Sequence, residues 1–231
     1  MQFDQQEFNE FILEQRVIEF RENQAPLRSG RSSHVYVNWK KIMKDVALTS
    51  DLVTFIMDFA EDHHLHQQTF YGVPEGATKI ALITQFRYAT ERAGKCAPGT
   101  HVLAMGRREE KNRGDVEDRF FLGFPKGRTV VIEDVATTGE SLLSTIDKLV
   151  HLEASVIAAI SLTDRNERSK DGKSVEQAIR ERGVVHYFAM SNAYDLLPLA
   201  YKQYKPKPSR ELMHAIEREF AQYGVKPLQL L

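Results

Sequence analysis

The chain has 231 residues, 42% hydrophobic and 27% charged, which is long enough for a full core and too apolar for disorder. A net charge of −1 and a pI near 6.7 exclude a global basic field for nucleic acid or anionic membrane, so phosphate binding must rest on local groups. The single cysteine, Cys96, excludes an intrachain disulfide, Met1–Glu10 is unlike a secretion signal, and no apolar run nears the roughly 18 residues of a membrane span; a soluble cytoplasmic protein is expected.

In chain order, residues 3–22 read as a helix, with Phe8, Phe11, Ile12 and Leu13 on its apolar side. A polar turn follows at Arg28–Ser33, then a short strand at Val35-Tyr36-Val37. A second helix is predicted from about Ser50 to His63, because Leu52, Phe55, Ile56 and Phe59 share one face and Thr49 or Ser50 can cap it. Strands are predicted at 69–73, 101–105, 129–133 and 156–162, and an extended stretch at 184–190. Helices fall between them, after the Gly/Pro loop 72–77 to about Ala93, at 142–152 and at 174–182. Runs such as Val156-Ile157-Ala158-Ala159-Ile160 suit strands buried on both faces. Strand–helix alternation then predicts an α/β fold, a doubly wound, mainly parallel sheet flanked by helices. After Lys205-Pro206-Lys207-Pro208 a last amphipathic helix is expected at 210–223.

The most informative stretch is Thr129-Val130-Val131-Ile132-Glu133-Asp134-Val135-Ala136-Thr137-Thr138-Gly139-Glu140-Ser141. A buried strand emerges into two acids, then into small and hydroxyl residues, then into a helix. Ligands of open parallel sheets bind at strand carboxyl ends, and a helix start favours an anion there. Thr137, Thr138 and Ser141 add hydroxyl donors, and Gly139 permits close approach. The two acids would repel a phosphate, so they suit sugar hydroxyls or a hydrated magnesium ion beside it. No Gly-Lys-Ser/Thr follows, so this is not a Walker loop, nor is it a dinucleotide fingerprint. An ordinary strand–helix turn capped by Asp134 is the alternative.

Between Met105 and this motif, ten of the thirteen residues from Arg107 to Arg119 are charged. They form either a solvated surface hairpin or an active-site lid. In the second case Arg107, Arg108, Lys111 and Arg113 would clamp a diphosphate.

The motif at 129–141 resembles that of the type I phosphoribosyltransferases, in which an apolar strand leads to two acids, small residues, Thr-Gly and a hydroxyl. The resemblance implies that Glu133 and Asp134 hold the ribose hydroxyls of 5-phosphoribosyl 1-diphosphate (PRPP). Residues Ala136, Thr137, Thr138, Gly139, Glu140 and Ser141 would hold the 5′-phosphate, with Arg28 and Val135 further PRPP contacts. The charged stretch narrows the resemblance to orotate phosphoribosyltransferases, whose mobile loop reads Arg-Lys-Glu-x-Lys-x-His-Gly. Lys111 then matches the catalytic lysine, Arg107 and Arg108 the diphosphate contacts, and Arg113 replaces the histidine with a fixed cation. Arg28–Tyr36 is similar to the family's Lys-Ser-Gly-Arg-x-Ser-Pro-Tyr segment, and Asp164-Arg165-Asn166-Glu167-Arg168 to its Asp-Arg-x-Glu-Arg.

On this resemblance Tyr36, Thr137 and Arg165 belong to the orotate pocket, Arg165 pairing with the orotate carboxylate. Arg165 alternatively caps a sheet edge in an ion pair. The family loop Tyr-Lys-Gly is Pro74-Glu75-Gly76 here, with Lys79 the nearest lysine. The resemblance further implies a single domain over 1–231, with a hood from 1–40 and a helical extension from 205–231. It implies Mg²⁺ held mainly through PRPP, a homodimer, and no dedicated protein metal site, nucleic acid or membrane partner. Transfer to another base, a PRPP-binding regulator without turnover, and an unrelated nucleotide-binding α/β protein are the rival readings. His63, His64 and His66 read as helix-end residues, Cys96 as a loop thiol and Trp39 as a core or interface aromatic.

Overall fold

In the computed structural model, residues 2–107, 109, 111–182 and 186–231 are described. Helix α1 (Gln5–Glu14) begins at Asp4, whose carboxylate accepts the Glu7 N–H at 2.8 Å. It stops well short of the expected residue 22. Gln15 ends it, Arg16 takes a left-handed φ of 50°, and the chain turns into strand β1 (Ile18–Pro26). Helix-favouring Glu, Arg and Gln fill this stretch, yet Val17 and Ile18 are buried and β1 pairs antiparallel with β2 (Ser32–Val37), so tertiary pairing overrides local propensity.

A one-turn helix α2 (Lys40–Met43) leads to α3 (Val46–Asp62), capped by Asp45 rather than by Thr49 or Ser50. Thr49 Oγ instead donates back to the Asp45 carbonyl from inside the helix. Trp39 is 1% exposed, lies over Phe8 at 6.0 Å and donates through Nε1 to Thr163 Oγ at 3.1 Å, a core role.

The central sheet begins with β3 (Thr69–Gly72), followed by α4 (Thr78–Glu91). The strand expected at 101–105 shrinks to β4 (Met105–Gly106). After α5 (Val116–Phe120), β4 pairs antiparallel with β5 (Phe121–Leu122), away from the main sheet. Leu103 is half exposed, so the apolar look of 101–104 does not reflect a buried strand. The rest follows as β6 (Thr129–Ala136), α6 (Glu140–His151), β7 (Val156–Asp164), α7 (Val175–Arg180) and β8 (His186–Ala189). Of the expected extended stretch 184–190, Val184 and Val185 lie outside the described residues. Helices α8 (Ala193–Gln203) and α9 (Arg210–Tyr223) close the chain. Helix α8 carries Pro198 inside it, which hides it from a reading that treats proline as a breaker.

The main sheet has the order β3-β6-β7-β8 and every pairing in it is parallel. Its side chains alternate between two cores. Val130, Ile132, Ala158, Ile160 and Leu162 face one that includes residues of α1, α3, α8 and α9. Val131 and Ala159 face the other, with Leu142, Ile146, Val175 and Ile179 of α6 and α7. Each fully buried Ile or Leu contributes about 1.5–3 kcal/mol. This double burial fixes the sheet register and brings the carboxyl ends of β3, β6 and β7 to one edge.

Candidate active site

At that edge a cleft of about 950 Å³ opens between the strand ends and the β1–β2 hairpin. Residues 133–141 form one wall, Arg28, Ser29, Tyr36 and Val37 the hairpin side, and Pro74–Gly76 with Lys79 the β3–α4 side. Lys40, Met43 and Lys44 complete the rim, and Arg165 stands at the end of β7. The structure therefore brings Arg28, Tyr36, Arg165 and every residue from Glu133 to Ser141 to one cavity. Lys40 and Lys44 escaped the sequence reading. Their four-residue spacing after Trp39 was the available signal.

The walls are held close by small residues. A Cβ on Gly76 would sit 2.4 Å from Asp134 Oδ1, so only glycine lets the β3–α4 loop lie against that carboxylate. Gly139 has φ 78°, and a Cβ there would meet the Val175 methyls at 3.1 Å. Arg28 reaches across the cleft and donates through Nη1 to the Pro74 carbonyl at 3.0 Å.

Helix α6 has no side-chain cap at Gly139, and α4 has none at Ala77. By contrast α1, α3, α7, α8 and α9 are capped by Asp4, Asp45, Ser174, Asn192 and Ser209, while the short helices α2 and α5 also lack a side-chain cap. Uncapped first turns leave backbone N–H groups for a ligand, and an anion is the ligand they favour.

The acids beside this cradle differ. Glu133 is buried, and that burial, followed by the neighbouring Asp134 carboxylate, pushes it well above the usual carboxylate range against the pull of Arg28. Asp134 lies nearer the surface, with Oδ1 accepting the Val135 N–H at 3.0 Å. Deeper in the strand ends, Ser161 Oγ lies 2.8 Å from the Tyr187 hydroxyl, which donates to Asp164 Oδ2 at 2.8 Å. Burial, only partly offset by the Asn166 N–H and Tyr187, raises Asp164 to about 6.

Arg165 is 2% exposed. Nε and Nη2 both lie 2.8 Å from Glu167 Oε1, Nη2 also donates to Ser33 Oγ at 2.9 Å, and Nη1 donates to the Val35 carbonyl at 2.8 Å. The guanidinium fork is thus taken up by an internal ion pair, the alternative raised by the sequence, while the residue still lines the cleft.

The charged stretch is not gathered into this cavity. Arg107 lines a second depression of about 490 Å³ that shares Pro74 and Glu75 with the cleft, and its Nε donates to the Asp118 carbonyl at 3.0 Å. Lys111 and Arg113 are exposed and line neither cavity, and Arg108 lies outside the described residues. At its base the stretch is anchored by buried Phe121 and by Lys148 of α6, whose Nζ lies 4.1 Å from the Phe120 ring centroid. Among the described residues, no group of three or more His, Cys, Asp and Glu side chains is arranged to hold a metal. No helix among them is long and apolar enough to cross a membrane.

No family model matches the chain. The sequence is 28% identical over 230 residues to orotate phosphoribosyltransferase of Aeromonas salmonicida, covering 96% of this chain and 98% of that protein. The crystal structure of the Francisella tularensis orotate phosphoribosyltransferase superposes with a TM-score of 0.66 at 18% identity, over 94% of this chain and 99% of that one. A Mycobacterium tuberculosis orotate phosphoribosyltransferase solved in complex with PRPP superposes with a TM-score of 0.54 at 19% identity, over 83% of this chain and 98% of that one. Parallel sheet, flanking helices and strand-end cleft together make this a type I phosphoribosyltransferase fold. Within that class the sequence is similar to orotate phosphoribosyltransferases over nearly its whole length.

Proposed function

We propose that the protein transfers the phosphoribosyl group of PRPP to orotate, giving orotidine 5′-monophosphate and diphosphate in pyrimidine biosynthesis. One observation carries the reading: an uncapped α6 start and an acidic pair share one cleft, beneath a hairpin that carries the base-pocket segment. A 5′-phosphate suits the α6 N–H groups with Thr137, Thr138 and Ser141, and the ribose hydroxyls suit Asp134 and Glu133. Burial and the neighbouring Asp134 carboxylate hold Glu133 toward its neutral form, which suits a partner of sugar hydroxyls rather than of a cation.

The residues fit Mg²⁺ bound mainly through PRPP: Asp134 is the carboxylate at the cleft surface, and Mg²⁺ takes few protein ligands while keeping its waters. When bound, the ion supplies charge neutralisation to the diphosphate. The chain's own residues position the reactants, and displacement at the anomeric carbon needs no covalent nucleophile. Tyr36, Thr137 and Arg165 border the base, with one Nη1 hydrogen of Arg165 left over from its internal contacts. Lys111, Arg107, Arg108 and Arg113 act from the charged stretch on the departing diphosphate, which requires that stretch to close over a cleft or to serve that of a second subunit. A homodimer in the cytoplasm is the form in which we expect the enzyme to work.

The test is loss of orotate absorbance when protein is added to orotate, PRPP and Mg²⁺. Turnover that disappears in Lys111→Ala supports the enzyme. Ligand binding that survives in that variant, with no turnover in the wild type, would favour a regulator.

A further inference from the structure

The carboxyl-terminal helix is remote in sequence from every element of the cleft, yet one of its side chains enters the hydrogen-bond network behind Arg165. Glu219 of α9 has a side chain only 12% exposed. Its Oε2 accepts from Ser33 Oγ at 2.7 Å, and its Oε1 accepts from the His34 N–H at 2.9 Å and from Gln24 Nε2 at 3.0 Å. Ser33 is itself buried, and its oxygen accepts from Arg165 Nη2 at 2.9 Å and from the Val35 N–H at 3.0 Å.

A serine hydroxyl has one proton and two acceptor sites. Here all are used, and their directions are set by charge. A carboxylate is only an acceptor, so the Ser33 proton must point to Glu219. The lone pairs must then face Val35 and Arg165. Without the carboxylate the hydroxyl is free to rotate, and Arg165 loses its oriented acceptor. A buried donor left unpaired costs more than a paired one contributes, so the guanidinium would shift toward its remaining partner, Glu167. On the far side Glu167 is held by Arg31 Nη1 at 3.0 Å, so Arg165 is clamped between two carboxylates, one direct and one relayed through a hydroxyl.

We propose that Glu219 is a positioning residue for the base subsite, acting through Ser33 to fix the Arg165 guanidinium and the β2 edge where Tyr36 borders the cleft. This rests on the reading of the cleft as an orotate and PRPP site. On that reading PRPP is held mainly on the opposite wall, at residues 133–141, with Arg28 its contact on the hairpin side, and the residues of that wall take no part in this relay. The relay therefore affects one substrate and spares the other.

The experiment compares steady-state kinetics of the wild type, Glu219→Ala, Glu219→Gln, Ser33→Ala and the Glu219→Ala/Ser33→Ala double variant, with Gln6→Ala, exposed on α1, as a surface control. Loss of one oriented hydrogen bond to a charged group should raise the orotate KM about tenfold in Glu219→Ala, leaving the PRPP KM within about twofold. Glu219→Gln retains one acceptor oxygen and should fall between. The double variant should be no worse than the more severe single one, because both cut the same relay. Gln6→Ala should match the wild type. Equal rises in both KM values, or a loss of folded protein in Glu219→Gln as well as Glu219→Ala, would reduce Glu219 to a structural brace and overturn the proposal. An unshifted orotate KM in an active wild-type background overturns it alone. Absence of orotate turnover in the wild type overturns the orotate reading and this proposal together.

Discussion

The cleft edge of the sheet and the scaffold around it treat polar groups in opposite ways. In the scaffold, helix starts are closed by Asp4, Asp45, Asn192 and Ser209, and acids meet cations. Glu19 is an example: it is partly buried, but Lys41, Arg21 and Asn38 overcome that burial and hold it down at about 2. At the cleft edge the starts of α4 and α6 stay open, and Glu133 and Asp164 are buried without a cation in contact strong enough to lower them. Stability is forgone at one edge and gained elsewhere. The open edge is where a ligand bearing phosphate and hydroxyls can replace what the protein withholds.

Four experiments would break or sharpen that contrast. Asp134→Asn removes the more exposed carboxylate of the acidic pair, and kcat/KM for PRPP should fall by about 10²–10³, with little change in thermal stability. A fall of less than about threefold would mean that the acid is only a turn residue.

Asp164→Asn tests the raised acid. The folded state holds the Asp164 proton more tightly than the unfolded chain does, so this group favours folding at low pH and its contribution is lost as pH rises from about 4 to about 6. Glu19 runs the other way, its contribution being present above its unfolded value and lost as pH falls toward about 2. The rise of Asp164 from the ordinary aspartate range to about 6 corresponds to about 3 kcal/mol, so the amide should flatten the stability profile between pH 4 and 6 in denaturant titrations. An unchanged slope would assign the pH dependence to Glu133 instead.

Gly139→Asp puts a carboxylate at the open start of α6. Strain at positive φ costs about 1–2 kcal/mol, and the new anion competes with phosphate, so PRPP affinity measured by calorimetry should drop at least tenfold. Tighter PRPP binding would contradict the cradle. The smallest effect is expected at a closed start: Ser209→Ala should cost about 1 kcal/mol, or about 2–4 °C in Tm, and leave PRPP binding untouched.

Much of this was legible in the sequence, for reasons tied to particular residues. The β6–α6 segment carries its signal locally: a continuous apolar strand, two acids, small and hydroxyl residues, then a helix, all within thirteen positions. Its ligands and its backbone geometry are neighbours in the chain, so no long-range contact was needed to find it. The boundaries of α9 were equally local, with Ser209 to cap the start. The first helix was not. Residues 18–22 form part of a strand only because β2 is there to pair with β1, and Arg16 turns left-handed to allow it.

Apart from Glu167, two residues on, tertiary structure determined the partners of Arg165. Its position after β7 marked it as a site residue, but its other contacts come from Val35 and Ser33, 130 and 132 residues earlier in the chain, and indirectly from Glu219. Nothing in a linear pattern relates a glutamate on an amphipathic final helix to a serine in an early polar turn. Local chemistry wrote the β6–α6 loop and its open helix start into the sequence, whereas the network behind Arg165 exists only where separated segments pack together.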